Sequence, residues 1–247
     1  MLDSQRDLFD IPRDICYLNS ASYSPLPLKT LQAGRDAVGR KGQPWTLDTG
    51  FAKRQHDRAR IAAARLINAD AADIALISSI SYGVATAAKL LTIPRGARVL
   101  VLENDHSSPV LEWHARAEAQ SFTVETIRQP DDGDWTSAVS AAIERSNAAP
   151  VALASISSVH WSDGGLIDLD QVATALRRQG ALFLIDATQS AIRTARRWSR
   201  RRPAAATCAP RTRFISPTPA MSAMPAASTW ASAIISSRWR WHRSAWK

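Results

Sequence analysis

Short apolar runs recur along the first three quarters of the chain, at residues 74–78, 98–102, 122–127, 151–157 and 181–186. Runs of this length, bounded by polar residues, suit strands buried on both faces. Between them the apolar positions change period. Val84, Ala87, Ala88 and Leu91 fall at i, i+3, i+4 and i+7, as do Val110, Trp113, His114 and Ala117, and again Leu169, Val172, Ala173 and Leu176. Val139, Ala142 and Ile143 keep the same helical spacing. Strands alternating with helices predict an α/β fold, a mostly parallel sheet with helices on both faces, because parallel strands need crossover connections. An earlier helix, rich in Ala and Arg, is predicted over residues 51–67 with Asn68 as its stop. Before it, YLNSASYSPLPLKTLQAG opens extended and turns helical after its two prolines, which cannot occupy a helix interior, and so predicts an N-terminal arm lying on the domain.

With 247 residues, 45% of them hydrophobic, the chain can bury the core of one large or two small domains. Its formal charge of +9 points at first to a polyanionic partner. The charge is not evenly spread. Residues 192–247 carry eleven Arg and one Lys with no acid, which leaves nineteen cations facing all 22 acids in residues 1–191. All ten glycines precede Ile192, and five of the nine tryptophans, Trp198, Trp230, Trp239, Trp241 and Trp246, follow it. No helical or strand period runs through that tail. Its composition is what a GC-rich gene gives when read out of frame: codons exist for PAASTWASAII (225–235) such that another frame reads GGIDMGERDH, in which glycine and acids return. The tail is therefore expected to be frameshifted or disordered. The alternative is a genuine nucleic-acid-binding arm, since Arg interleaved with Trp suits single-stranded polymers.

Cys16 and Cys208 form no disulfide framework and no metal-binding spacing. The N-terminal MLDSQRDLFDIPRD lacks the basic start and apolar run of a signal peptide, and no stretch approaches the ~18 apolar residues that span a bilayer. A cytoplasmic protein with no membrane partner is expected.

In sheets of this kind ligands sit beyond the carboxyl ends of the strands. Three such ends carry candidate chemistry. SSISYG (78–83) leads into a helix expected to begin near Tyr82, where free N–H groups and Ser hydroxyls make a phosphate cradle; taken alone, Ser81 reads more simply as that helix's cap. ENDHSSPVLEW (103–113) places His106 where a loop becomes a helix, free to stack on a flat ring, to act as a base, or to stand solvated as lone loop histidines usually do. His114 shares an apolar stripe and is expected to pack, and His160 follows a strand in SVHWSDG (158–164). The three histidines have no HExxH-type spacing, so no metal is expected. In LFLIDATQSA (182–191) Asp186 ends an almost wholly apolar strand, with Gln189 three residues on. A carboxylate there costs several kcal/mol in desolvation unless something cationic pairs with it. A protonated pyridine nitrogen would meet that need, and a helix N-cap would serve equally well on the residues alone.

Taken together and in order, these segments resemble the class V aminotransferase family, pyridoxal-phosphate enzymes of fold type I that include cysteine desulfurases, selenocysteine lyases, kynureninases and isopenicillin N epimerase-like proteins. YLNSASYSPLP is similar to the family's N-terminal arm, SSISYGVATAA to its phosphate-binding turn, and ENDHSSPVLEW to the segment often seen as EHHANVLPW. The most specific block, SSVHWSDGGLIDLDQVATALRRQGALFLIDATQSA, resembles the family stretch ending in D-A-x-Q. The resemblance spans residues 1–191, read as a partial cofactor-binding large domain, and none of residues 192–247. It implies that Ser81 and Tyr82 hold the phosphate and that His106 stacks on the pyridine ring. Asp186 would then pair with the ring nitrogen and Gln189 would hydrogen-bond the phenolic oxygen.

Two positions depart from the pattern: Pro109 stands for the Asn of EHHAN, and Ile192 for the glycine after D-A-x-Q. The larger departure is the Schiff-base lysine, which in the family follows the D-A-x-Q glutamine, next to a Ser or His and just before a Gly-Pro turn. No such segment follows Gln189. The only lysine after Asp186 is Lys247, and Lys29, Lys41, Lys53 and Lys89 match no family position. No catalytic residue is assigned. The resemblance implies an enzyme acting on an amino acid by transamination or C–S/C–Se lyase chemistry, working as a homodimer, while this chain is expected to be inactive without the lysine. Cys16, in the arm, is a poor persulfide carrier. Competing readings are an intact enzyme with an unrecognised small domain and a nucleic-acid-binding protein with a basic tail.

Overall fold

The computed structural model describes residues 3–20 and 22–190. The expectations for residues 192–247, together with Cys208 and Lys247, lie outside the described residues. The chain divides into two compact units, Met1–Arg58 and Ala59–Lys247.

In the first unit the arm is extended, with Tyr17 donating its hydroxyl to the Tyr23 carbonyl at 2.6 Å. Helix α1 (Leu28–Lys41) starts immediately after Pro27, whose φ of −57° and ψ of 144° bring the chain in extended. Arg40 and Lys41 fill its last turn, where cations oppose the negative end of the helix. Helix α2 (Phe51–Ile67) begins in the first unit and continues into the second; it has the predicted bounds and stops at Asn68, which takes the left-handed conformation at φ +53°.

The second unit is built on four parallel strands: β1 (Arg98–Leu102), β2 (Thr123–Ile127), β3 (Val151–Ser157) and β4 (Leu182–Asp186), in the spatial order β2-β1-β3-β4. Helices α3 (Ile80–Leu90), α4 (Ser107–Gln120), α5 (Trp135–Glu144) and α6 (Leu169–Arg178) alternate with them. Side chains of a strand alternate between its faces, and two cores result. Val99, Val101, Leu153 and Leu184 pack with Val84 and Ala88 of α3 and Trp113 of α4. Leu100, Leu102, Ala154, Ile156 and Ile185 pack on the other face with Trp135, Val139 and Ile143 of α5 and Val172 and Leu176 of α6. Burial of each Val, Leu or Ile side chain here stabilises by roughly 1.5–3 kcal/mol. The chain leaves β1 for β2 on one side and returns to β3 on the other, so the connection reverses between β1 and β3, the place where open α/β sheets form a crevice.

Three expectations need correction. Residues 74–78 do not form a strand. Ile74 packs on Ala64 and Ile67, its carbonyl accepts the Arg60 Nε–H at 2.9 Å, and Leu76 is exposed. With no strand beside it among the described residues, an apolar run alone cannot satisfy its backbone as a ladder. Helix α3 begins at Ile80 rather than near Tyr82, and its cap is Ser79, not Ser81: the Ser79 hydroxyl accepts the Tyr82 N–H at 3.1 Å. His114 is exposed, because the buried edge of α4 is narrow and centres on Trp113.

Candidate cofactor site

The carboxyl ends of β1, β3 and β4 lie side by side. After Leu102 the chain turns through residues 103–106, helped by Asn104 at φ +55°, which Asn tolerates better than most residues. Asp105 ties this turn to the end of β3: its Oδ1 accepts the Ser157 hydroxyl at 2.7 Å and its Oδ2 the Ser157 N–H at 3.1 Å. Oδ1 also accepts the N–H of His106 at 2.7 Å. His106 is the N-cap of α4, its ring exposed and meeting the Trp161 indole in a T-shaped contact with centroids 6.3 Å apart.

Two residues further on, the buried Ser108 hydroxyl lies 2.9 Å from the Ser81 hydroxyl in the first turn of α3. The N-termini of two helices therefore converge, each with the positive end of its dipole, although the Ser79 hydroxyl takes the Tyr82 N–H of α3, the His106 Nδ1 takes the Ser108 N–H of α4, and Pro109 has no N–H to offer. Ser155, fully buried on β3, donates to the Pro109 carbonyl at 2.8 Å and holds the first turn of α4 against the sheet. Tyr82 stands beside Ser81 with its ring exposed.

Asp186, the last residue of β4, is 8% exposed and pairs in register with Ser157. By strand alternation it shares the face of Leu184, the face covered by α3 and α4. Its Oδ1 accepts the N–H of Thr188 at 2.9 Å and the Thr188 hydroxyl at 2.5 Å, while Oδ2 accepts no hydrogen bond from the described residues. A buried carboxylate with one oxygen engaged and the other open can receive a cationic N–H. Gln189 lies exposed on the following turn, its amide unbonded among the described residues. Ser81, His106 and Asp186 are thus linked through Ser108, Asp105 and Ser157 at one end of the sheet, with Gln189 just beyond Asp186.

His160 does different work. Fully buried, it stacks on Trp135 with centroids 4.6 Å apart, faces the Glu103 carbonyl at 3.0 Å through Nε2, and meets Asp163 at 3.0 Å through Nδ1. Burial works against the charge on Asp163, but the Gly165 N–H, the Trp135 indole and the His160 ring more than offset it, so the carboxyl is held below the usual carboxylate range. Lys89 sits exposed in the last turn of α3, eight residues and about 12 Å of helix rise from Ser81, too far to meet a ring held near Asp186.

The model of the family described as aminotransferase class V matches residues 16–196. The chain belongs to the class V aminotransferase family. A probable cysteine desulfurase of Methanothermobacter thermautotrophicus is 27% identical over 191 residues, 73% of this chain and 46% of that protein. A mutant of C-DES, solved with glycine covalently linked to its PLP cofactor, superposes with a TM-score of 0.63 at 20% identity, over 76% of this chain and 50% of that one. The cysteine desulfurase CsdA of Escherichia coli gives 0.60 at 20% identity, over 77% and 49%. These likenesses fix the fold as that of pyridoxal-phosphate-dependent transferases, and the class V membership implies pyridoxal phosphate as the cofactor. The chain spans about half the length of the relatives it matches. Among the described residues no helix is long and apolar enough to cross a membrane, and no group of His, Cys, Asp and Glu is arranged to hold a metal ion.

Sequence reasoning did not find Asp105, Ser108, Ser157 or Trp161. Each acts across 27 to 57 residues of chain, and only the carboxylate next to His106 offered a local signal.

Proposed function

We propose that the described residues are the cofactor-binding part of a pyridoxal-phosphate enzyme of amino-acid metabolism, one that performs transamination or C–S/C–Se bond cleavage, in the cytoplasm and as a homodimer. The observation that carries this reading is Asp186, buried at a strand end with one oxygen open. Ser81 and Tyr82 at the start of α3 hold the phosphate, aided by the helix dipole. His106 stacks against the ring and Gln189 hydrogen-bonds its phenolic oxygen. The Asp186 carboxylate keeps the ring nitrogen protonated, and pyridoxal phosphate so held supplies an electron sink for carbanion chemistry. This chain by itself is catalytically incompetent, because no lysine lies in the family's sequence context and Lys89 stands at the wrong end of α3.

The test is a titration of the full chain and of its Asp186→Asn variant with pyridoxal phosphate, followed by borohydride reduction and mass-spectrometric mapping. Loss of a charge-assisted hydrogen bond should weaken noncovalent binding by about ten- to a hundredfold in the variant. No single lysine should be labelled stoichiometrically, and no amino acid should turn over. Equal affinities would remove Asp186 from the site, and one stoichiometric lysine with turnover would overturn the inactivity.

A further inference from the structure

The SVHWSDG segment, which the cofactor reading leaves without a role, carries a second one. Three consecutive residues of the 103–106 turn are each held by the chain leaving β3. The Glu103 carbonyl faces His160 Nε2 at 3.0 Å, the Asn104 carbonyl accepts the Trp161 indole N–H at 2.7 Å, and the Asp105 carboxylate accepts both donors of Ser157. Glu103 is also held through its carboxylate by the Gln129 N–H at 3.0 Å. Ser157 and His160 are buried, and packing and hydrogen-bond satisfaction account for them where they stand. Trp161 is 55% exposed. Beyond the packing of its buried part, the indole bonds the Asn104 carbonyl and meets the ring of His106.

The contact with His106 has an interplanar angle of 81°, so at least one face of the imidazole stays clear of the indole. The Nε1–H bond to a backbone carbonyl fixes the indole, and the imidazole stands between that indole and the Ser108 N–H, which its Nδ1 accepts at 3.5 Å. We propose that Trp161 is a positioning residue that sets the plane of the His106 ring before any cofactor arrives. A ring fixed in advance loses less entropy on stacking. The proposal rests on the reading of His106 as the ring-stacking residue.

The test uses the full chain with Trp161→Leu, Trp161→Phe, His106→Ala and the double variant His106→Ala/Trp161→Leu. Imidazole resonances of His106, assigned by their loss in His106→Ala, report the ring's environment without any cofactor. Trp161→Leu should abolish the ring-current shift on His106, and Trp161→Phe should keep part of it. Trp161→Leu should also weaken pyridoxal phosphate binding by about two- to tenfold, the range expected for one aromatic contact, and should add nothing in the His106→Ala background. Unmoved His106 resonances in Trp161→Leu, or an equal loss of affinity with and without His106, overturns the proposal. If the wild-type chain and His106→Ala do not differ in cofactor affinity, the stacking reading falls, and the resonances alone decide whether Trp161 sets the ring.

Discussion

Asp163 shows how much a single side chain can carry. Its two oxygens accept the Gly165 N–H at 2.7 Å and the Trp135 indole at 2.9 Å, and they meet His160 and Gln129 as well. Because its pKa is depressed in the folded chain, its contribution is complete above the unfolded carboxylate value of about 3.9 and is lost as pH falls through the lower, folded value. Asp163→Asn puts an amide donor where donors already point, so the variant should be less stable by about 1–3 kcal/mol at pH 7. Urea melts at pH 7, 5, 4 and 3 should show the two proteins converging at the acid end, and a gap that stays constant would mean that the carboxylate's charge contributes nothing. Asp186 and His106 stand out in the sequence as candidates because each is odd where it stands, a charge closing an apolar run or an imidazole at a helix start. Asp163 does not, since its partners Trp135 and Gln129 lie 28 and 34 residues away and only the fold brings them together.

At the scale of elements, β3 is the strand on which both cores depend. Leu153 faces α3 and α4 while Ala154 and Ile156 face α5 and α6, and all three are fully buried. Leu153→Ala should cost about 2–5 kcal/mol, whereas Leu182→Ala, on the edge strand and 40% exposed, should cost far less. Thermal or urea melts of the pair check this, and similar losses in both would contradict the layering. Periodicity located α2 and the four strands of the described sheet to within a residue or two, and its helical positions at 110–117, 139–143 and 169–176 fall inside α4, α5 and α6. It failed at residues 74–78, where five residues apolar enough for a strand lack a strand to pair with among those described. It also misplaced His114, since i, i+3, i+4 spacing marks a stripe but not its width.

For the whole molecule, the charge boundary near Ile192 separates two kinds of chain. The family match ends at residue 196, close to where glycine disappears and Arg accumulates. Any nucleic-acid affinity should therefore reside in residues 192–247 and vanish when they are removed. In the full chain it should fall steeply with salt, since cations that neutralise phosphates release counterions. Electrophoretic shift assays with single-stranded RNA and DNA at two ionic strengths decide it, and sequence-selective binding by residues 1–191 would restore the nucleic-acid reading.

The reversal of the chain between β1 and β3 has a kinetic consequence. Leu100 pairs on one side with Glu125 of β2 and on the other with Ala154 of β3, about twice as far along the chain, so the contacts that build the crevice close the longer loop. Loop closure costs entropy that grows with length, and distant pairings form slowly. The pairs Asp105–Ser157 and Trp161–Asn104 cannot exist until that closure is complete. Nascent chain, with β1, α4 and β2 already made, therefore has no pocket to offer. A ligand of this crevice acts as a latch on the finished unit, slowing its opening rather than guiding its assembly.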